Sequence, residues 1–217
     1  MVSTAARRAA ADYSGCQDAR IAAKPPAKPD DREVIQCATL ADWEAWLEDH
    51  HAESVGVWLK IAKKGAAQRT VGYPEVLDAA ICFGWIDARR QGYDDSFFLQ
   101  RFTPRGPRSI WSQLNRDKAT ALIEAGRMRE AGLAQVGAAQ DDGRWDAAYE
   151  PQSRATVPPD FQQALDENPA AREFFATLTG SARYAFLFRL HHVKTPAARK
   201  RRIAQYIETL SAGRTLT

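Results

Sequence analysis

The alternation of apolar and polar positions is clearest in Val55-Gly56-Val57-Trp58-Leu59-Lys60-Ile61-Ala62. A period of two places Val55, Val57, Leu59 and Ile61 on one face of a strand, and Trp58 with Lys60 on the other. Two more strands are predicted at Trp85–Arg89 and Ser96–Phe102, joined by the turn residues Gln91 to Asp95, and a short one at Val34–Cys37. In the second pair Trp85, Asp87 and Arg89 share a face, as do Phe97, Leu99 and Arg101, so Asp87 and Arg101 are expected to pair across the ladder.

Helical periodicity fills the rest. Thr39 caps a helix that runs to Asp49, with Leu40, Trp43 and Leu47 in one stripe. Pro74 and Glu75 open another, which Gly84 ends. A helix from Ser109 to about Gly126 and one from Arg129 to Gln140 follow. From Asp160 to Gly213 the pattern is wholly helical, with Asn168-Pro169 and Thr195-Pro196 as helix starts. The fold class is therefore α+β: a small N-terminal sheet packed by helices, then an all-helical C-terminal module. The division read from these patterns is a disordered tail at 1–30, an α+β domain at 31–140, a proline-bearing strap at 141–158 and the helical module at 159–217. Trp145 and Tyr149 in the strap are expected to dock on the first domain, because aromatics in a linker are otherwise exposed.

The densest chemistry lies between the last strand and the Ser109 helix, in Phe102-Thr103-Pro104-Arg105-Gly106-Pro107-Arg108-Ser109-Ile110-Trp111-Ser112-Gln113-Leu114-Asn115. A helix start offers unpaired N–H groups and the positive end of a dipole. Arg105 can add a fork suited to phosphate or carboxylate, and Ser109, Ser112 and Asn115 add polar groups on or near one face. The anion-binding set read from the sequence is Arg101, Arg105, Ser109, Ser112 and Asn115, supported by Asp87, Trp111, Trp58 and Lys60. The competing reading is a capped helix carrying surface arginines. Arg105→Ala is expected to leave the unliganded chain folded, as a surface change.

Composition narrows the classes. Hydrophobic residues are 45% and charged residues 26% of 217, as in a globular protein. No apolar run reaches the roughly 18 residues of a membrane helix. Cys16, Cys37 and Cys82 form no CxxC, which favours a reducing, cytoplasmic setting. The four histidines come as two adjacent pairs without metal-ligand spacing, and no P-loop or dinucleotide fingerprint is present, so no metal or cofactor is expected. Nor does a nucleophile constellation stand out. Charge is uneven: net +3 overall, but residues 180–217 hold eight Lys/Arg against one acidic residue. Lys194, Arg199, Lys200, Arg201 and Arg202 form a basic run that could meet nucleic acid or an acidic protein.

Several runs carry a family resemblance. They are Tyr73-Pro74-Glu75, Phe83-Gly84-Trp85-Ile86-Asp87, Gln100-Arg101-Phe102-Thr103-Pro104-Arg105, and Ser109 with Trp111, Ser112 and Asn115. Gly143-Arg144-Trp145 with Tyr149, and the closing Thr195-Pro196 with Arg199, Arg202 and Ile203, complete them. Together they resemble the YdeI/OmpD-associated family over about Val34 to Gly213. The C-terminal module departs from the family's usual pattern at His191-His192-Val193-Lys194 and Ala198-Arg199. The resemblance implies a soluble bacterial protein, sometimes called bacteriocin-protection, with a helical C-terminal module. Three readings remain: a stress or antibacterial-peptide protection protein that acts by binding an anionic group, an enzyme acting on a phosphorylated or carboxylated small molecule, and a nucleic-acid binder using the basic C-terminal helix. The first is preferred.

Overall fold

The computed structural model describes residues 32–216; the tail expected at 1–30 lies outside the described residues. Four strands form one sheet in the order β1-β2-β4-β3: β1 (Val34–Ile35), β2 (Val57–Ala62), β3 (Trp85–Gly92) and β4 (Phe97–Pro104). β1 runs parallel to β2, and both outer partners of β4 are antiparallel to it. Val57, Leu59 and Ile61 sit opposite Phe102, Gln100 and Phe98, and these six side chains make one face. Val57, Leu59, Ile61, Phe98 and Phe102 join the main core there. Val55 falls outside β2 and is 73% exposed, because the chain turns at Gly56, whose φ of 129° ends the regular alternation.

Two helices close that face. α1 (Leu40–His50) begins with a capping box: Thr39 Oγ1 accepts the Asp42 N–H and the Asp42 carboxylate accepts the Thr39 N–H. Its Trp43 and Leu47 are fully buried, and the Trp43 indole N–H donates to Val76 O at 3.1 Å. α2 (Tyr73–Cys82) starts at Gly72, whose N–H the Glu75 carboxylate accepts, and it stops at Gly84 (φ 73°). Full burial of each such large apolar side chain contributes on the order of 1.5–3 kcal/mol.

α3 (Gln113–Glu124) and α4 (Glu130–Asp141) pack beside α2. A Cβ on Gly132 would stand 2.2 Å from Cys82 O, so only glycine lets α4 approach the end of α2 this closely. This contact fixes the α2–β3 corner, from which the site is built. α5 (Pro159–Asp166), α6 (Pro169–Thr177), α7 (Gly180–His191) and α8 (Pro196–Ser211) surround a second cluster of buried side chains, centred on Phe161, Phe175, Phe186, Leu190, Tyr206 and Leu210. The chain is thus α+β, a small sheet followed by helices. Trp145 packs against the first cluster, while the Tyr149 ring meets Phe188 of α7 edge-on at 4.9 Å. Among the described residues no helix is long and apolar enough to cross a membrane.

Candidate functional site

The junction after β4 is built by backbone pairing. Arg105 N–H donates to Gly84 O, extending the β3–β4 ladder by one rung. Gly106 to Ser109 then forms a turn closed by Ser109 N–H to Gly106 O. The helix expected from Ser109 begins at Gln113, and its N-cap is Ser112, whose Oγ accepts the Asn115 N–H at 3.1 Å. The cause lies across the fold. Tyr149 bridges residues 111–113, donating its N–H to Trp111 O and accepting the Gln113 N–H, which holds this segment extended. Two N–H groups of the first turn, those of Gln113 and Asn115, are therefore already bonded within the protein.

Arg105 is buried, with 5% of its surface exposed, and it is not the surface residue expected from the sequence. Its guanidinium lies 3.6 Å from the centroid of Trp111, a ring 2% exposed and braced by the edge of Trp145 at 5.0 Å. Nη1 donates to Ile110 O at 3.3 Å and reaches Ser109 Oγ at 3.5 Å. Nε and Nη2 are buried and have no hydrogen-bond partner. These two nitrogens form the lateral fork of a guanidinium, the edge that takes a carboxylate or phosphate bidentately. Burial pushes the Arg105 pKa down to about 10, against the opposing pull of Asp87 and then Tyr149. The group remains a cation at neutral pH.

Beside it is a cavity of about 380 Å³, lined among others by Tyr73, Asp87, Ser112, Asn115, Lys118 and Tyr149. Arg105 is coupled electrostatically to two of these lining residues, Asp87 and Tyr149. The Tyr73 hydroxyl donates to Asp87 Oδ2 at 2.8 Å. Burial, then the Asp87 charge, push the Tyr73 phenol up; burial also raises Tyr149, with a hydrogen bond from Ser112 opposing it. Both phenols are hydroxyl donors at neutral pH. Lys118 is paired with Asp78.

Of the residues predicted from sequence, Arg105, Ser109 and Trp111 come together, and Ser112, Asn115 and Asp87 line the adjoining cavity. Arg101 does not join them. Asp87 sits opposite Phe102, whereas Arg101 sits opposite Trp58, so they occupy opposite faces of the sheet and the expected Asp87–Arg101 pair is not formed. A register shift between Asp87 and Arg90 also breaks the regular alternation of β3. Trp58 is buried on that other face, and Lys60 spans the rings of Phe97 and Tyr93 at 4.1 and 4.6 Å. In the basic run, Arg199 forms an ion pair with Asp160, Arg202 lies 5.9 Å from the Tyr206 ring, and Lys194, Lys200 and Arg201 are exposed. Sequence reasoning missed Tyr73 and Tyr149 as site groups. Tyr149 stands 37 positions beyond Ser112, and only the strap's return brings it there.

Two family models match separate parts of the chain. Residues 35–135 match a domain of unknown function, DUF8412. That span holds the sheet except Val34, with Arg105 and most of the cavity wall. Residues 154–213 match the model described as "Bacteriocin-protection, YdeI or OmpD-Associated". Comparison with curated proteins and with solved structures finds no match. The named family thus covers the helical module, while the central stretch answers to a model of its own. The segment at 154–213 is similar to the YdeI/OmpD-associated, bacteriocin-protection family.

Proposed function

We propose that the protein is a binding protein of the bacteriocin-protection type whose ligand presents a carboxylate or phosphate to Arg105. The observation that carries this reading is the buried lateral fork, Nε and Nη2, without a protein partner. A buried polar group left unpaired costs on the order of 1–3 kcal/mol, and more for a charged one, so an incoming anion gains from relieving it. Trp111 fixes the plane of the guanidinium and Ile110 O fixes its rotation, so little orientational freedom remains to be lost on binding. Tyr73, Ser112, Asn115 and Tyr149 offer hydrogen bonds to the polar remainder of a small ligand in the adjoining cavity. A neighbouring carboxylate, Asp87, is engaged by Tyr73 and disfavours ligands with a second negative charge on that side.

A thermal-shift panel of carboxylates and phosphates tests the reading. A ligand at 100 times its Kd raises stability by about 2.7 kcal/mol. Failure of every anion in the panel to raise the melting temperature refutes it.

A further inference from the structure

A second cavity, of about 460 Å³, lies against the same junction, its wall including Ile110, whose carbonyl accepts from Arg105. Three segments meet there: the loop at 107–110, the turn at 142–147, and the end of α7 with the residues after it. Arg108, Arg144, Lys194, His191 and His192 line it, with Asp142 as its one carboxylate. We propose that this cavity is a binding site for a pyrophosphate-type group, a phosphoanhydride or bisphosphate on a small molecule.

Arg108, Arg144 and Lys194 face one carboxylate, and Asp142 is already engaged by Arg144 Nε at 2.7 and 2.8 Å. Arg108 forms no ion pair with a carboxylate among the described residues, and Lys194 meets Asp142 only through its field. Uncompensated like charges lining one concave wall focus a positive field and concentrate counter-charge there. A monocarboxylate would leave most of that charge unmatched, whereas a pyrophosphate carries enough to meet it.

The donors are also fixed in place. Arg144 is held by Asp142 and by its Nη1 bond to Ser109 O at 2.8 Å, so its guanidinium is oriented before any ligand arrives. A carbonyl can only accept, so His191 donates from Nε2 to Ala147 O and His192 from Nδ1 to Phe188 O. The second nitrogen of each ring is then an acceptor in the neutral imidazole and a donor only when the ring carries a second proton, so the phosphate contacts fall to the arginines and the lysine. Guanidinium and ammonium groups lining one cavity match phosphate oxygens better than any apolar ligand.

Calorimetric titration of the full chain with inorganic pyrophosphate provides the test, with chloride at equal ionic strength as the control anion. Expected are binding that weakens with added salt and little response to chloride. Combined Arg108→Gln and Lys194→Gln replacement should weaken pyrophosphate about tenfold or more, since both lost contacts are charge-assisted. Both side chains are exposed, so folding should persist. Lys200→Gln with Arg201→Gln removes the same charge from α8 outside the cavity and should change affinity by no more than about twofold. The proposal is overturned if the intact chain takes up no pyrophosphate, or if the cavity variant binds as before. Equal weakening by the α8 variant, which marks diffuse electrostatics, also overturns it.

Discussion

Arg105 and Arg199 present the same lateral fork in opposite circumstances. In Arg199, Nε and Nη2 both donate to the Asp160 carboxylate, and Nη1 donates to Leu190 O at 3.0 Å. The arginine ties α8 to α5 and to the end of α7. In Arg105, Nη1 also finds a backbone carbonyl, but Nε and Nη2 face no protein acceptor. Their ionisation differs accordingly. The hydrogen-bonded carboxylate raises Arg199 above its ordinary value, while burial drives Arg105 down to about 10. A completed fork is a clasp within the fold. An uncompleted fork that is nearly fully buried and stacked on a tryptophan is held in position at a cost, which is the signature expected of a group kept for a ligand.

The largest effect is expected at the plate beneath Arg105. Trp111→Ala removes a buried ring that carries both the guanidinium and the Trp145 edge, and should cost about 3–5 kcal/mol in denaturant unfolding. A loss below about 1 kcal/mol would show that Trp111 does not brace the site.

Next comes the clasp. Arg199→Met strands Asp160 and Leu190 O, and should destabilise by about 1–2 kcal/mol after allowance for the partly exposed pair. Arg105→Met loses the bond to Ile110 O but breaks no ion pair and removes a buried charge, so the unliganded protein should stay within about 1 kcal/mol of the original. Equal destabilisation by the two changes would erase the distinction between them.

A smaller effect should appear in acid. The Arg199 hydrogen bond holds the Asp160 carboxyl below the usual carboxylate range. Its stabilisation is therefore complete above the unfolded carboxylate value of about 3.9, and is lost as pH falls through the lower folded value. Asp160→Asn should flatten that acid limb of the stability curve. An unchanged acid limb would mean that the pair contributes nothing to folding.

The smallest effect concerns the remaining basic run. Lys200→Gln with Arg201→Gln should alter stability by no more than about 0.5 kcal/mol, because both side chains are exposed and unpaired. A larger loss in thermal unfolding would reveal a structural role for α8's charged face.

Much of the architecture was legible because its signals are local. Thr39, Pro74, Pro169 and Thr195-Pro196 marked helix starts within a residue or two of those observed, and the alternation of Val57, Leu59 and Ile61 identified the core face of β2. The misreadings are non-local. Ser109 looked like an N-cap until Tyr149, far along the chain, held Trp111 to Gln113 extended. Asp87 and Arg101 looked like cross-strand partners until strand register placed them on opposite faces. Arg105 looked like a surface residue, since nothing in its own neighbourhood foretold that its guanidinium would stack on a buried Trp111 braced by Trp145.

The most direct test compares anion-induced stabilisation in the original protein and in Arg105→Met, by thermal unfolding across the carboxylate and phosphate panel with the pyrophosphate cavity disabled by Arg108→Gln and Lys194→Gln. At least one anion should raise the melting temperature with Arg105 present, and the rise should vanish in Arg105→Met while the unliganded melting temperature barely moves. An equal rise in both proteins, or none in either, would contradict the assignment of Arg105 to a ligand.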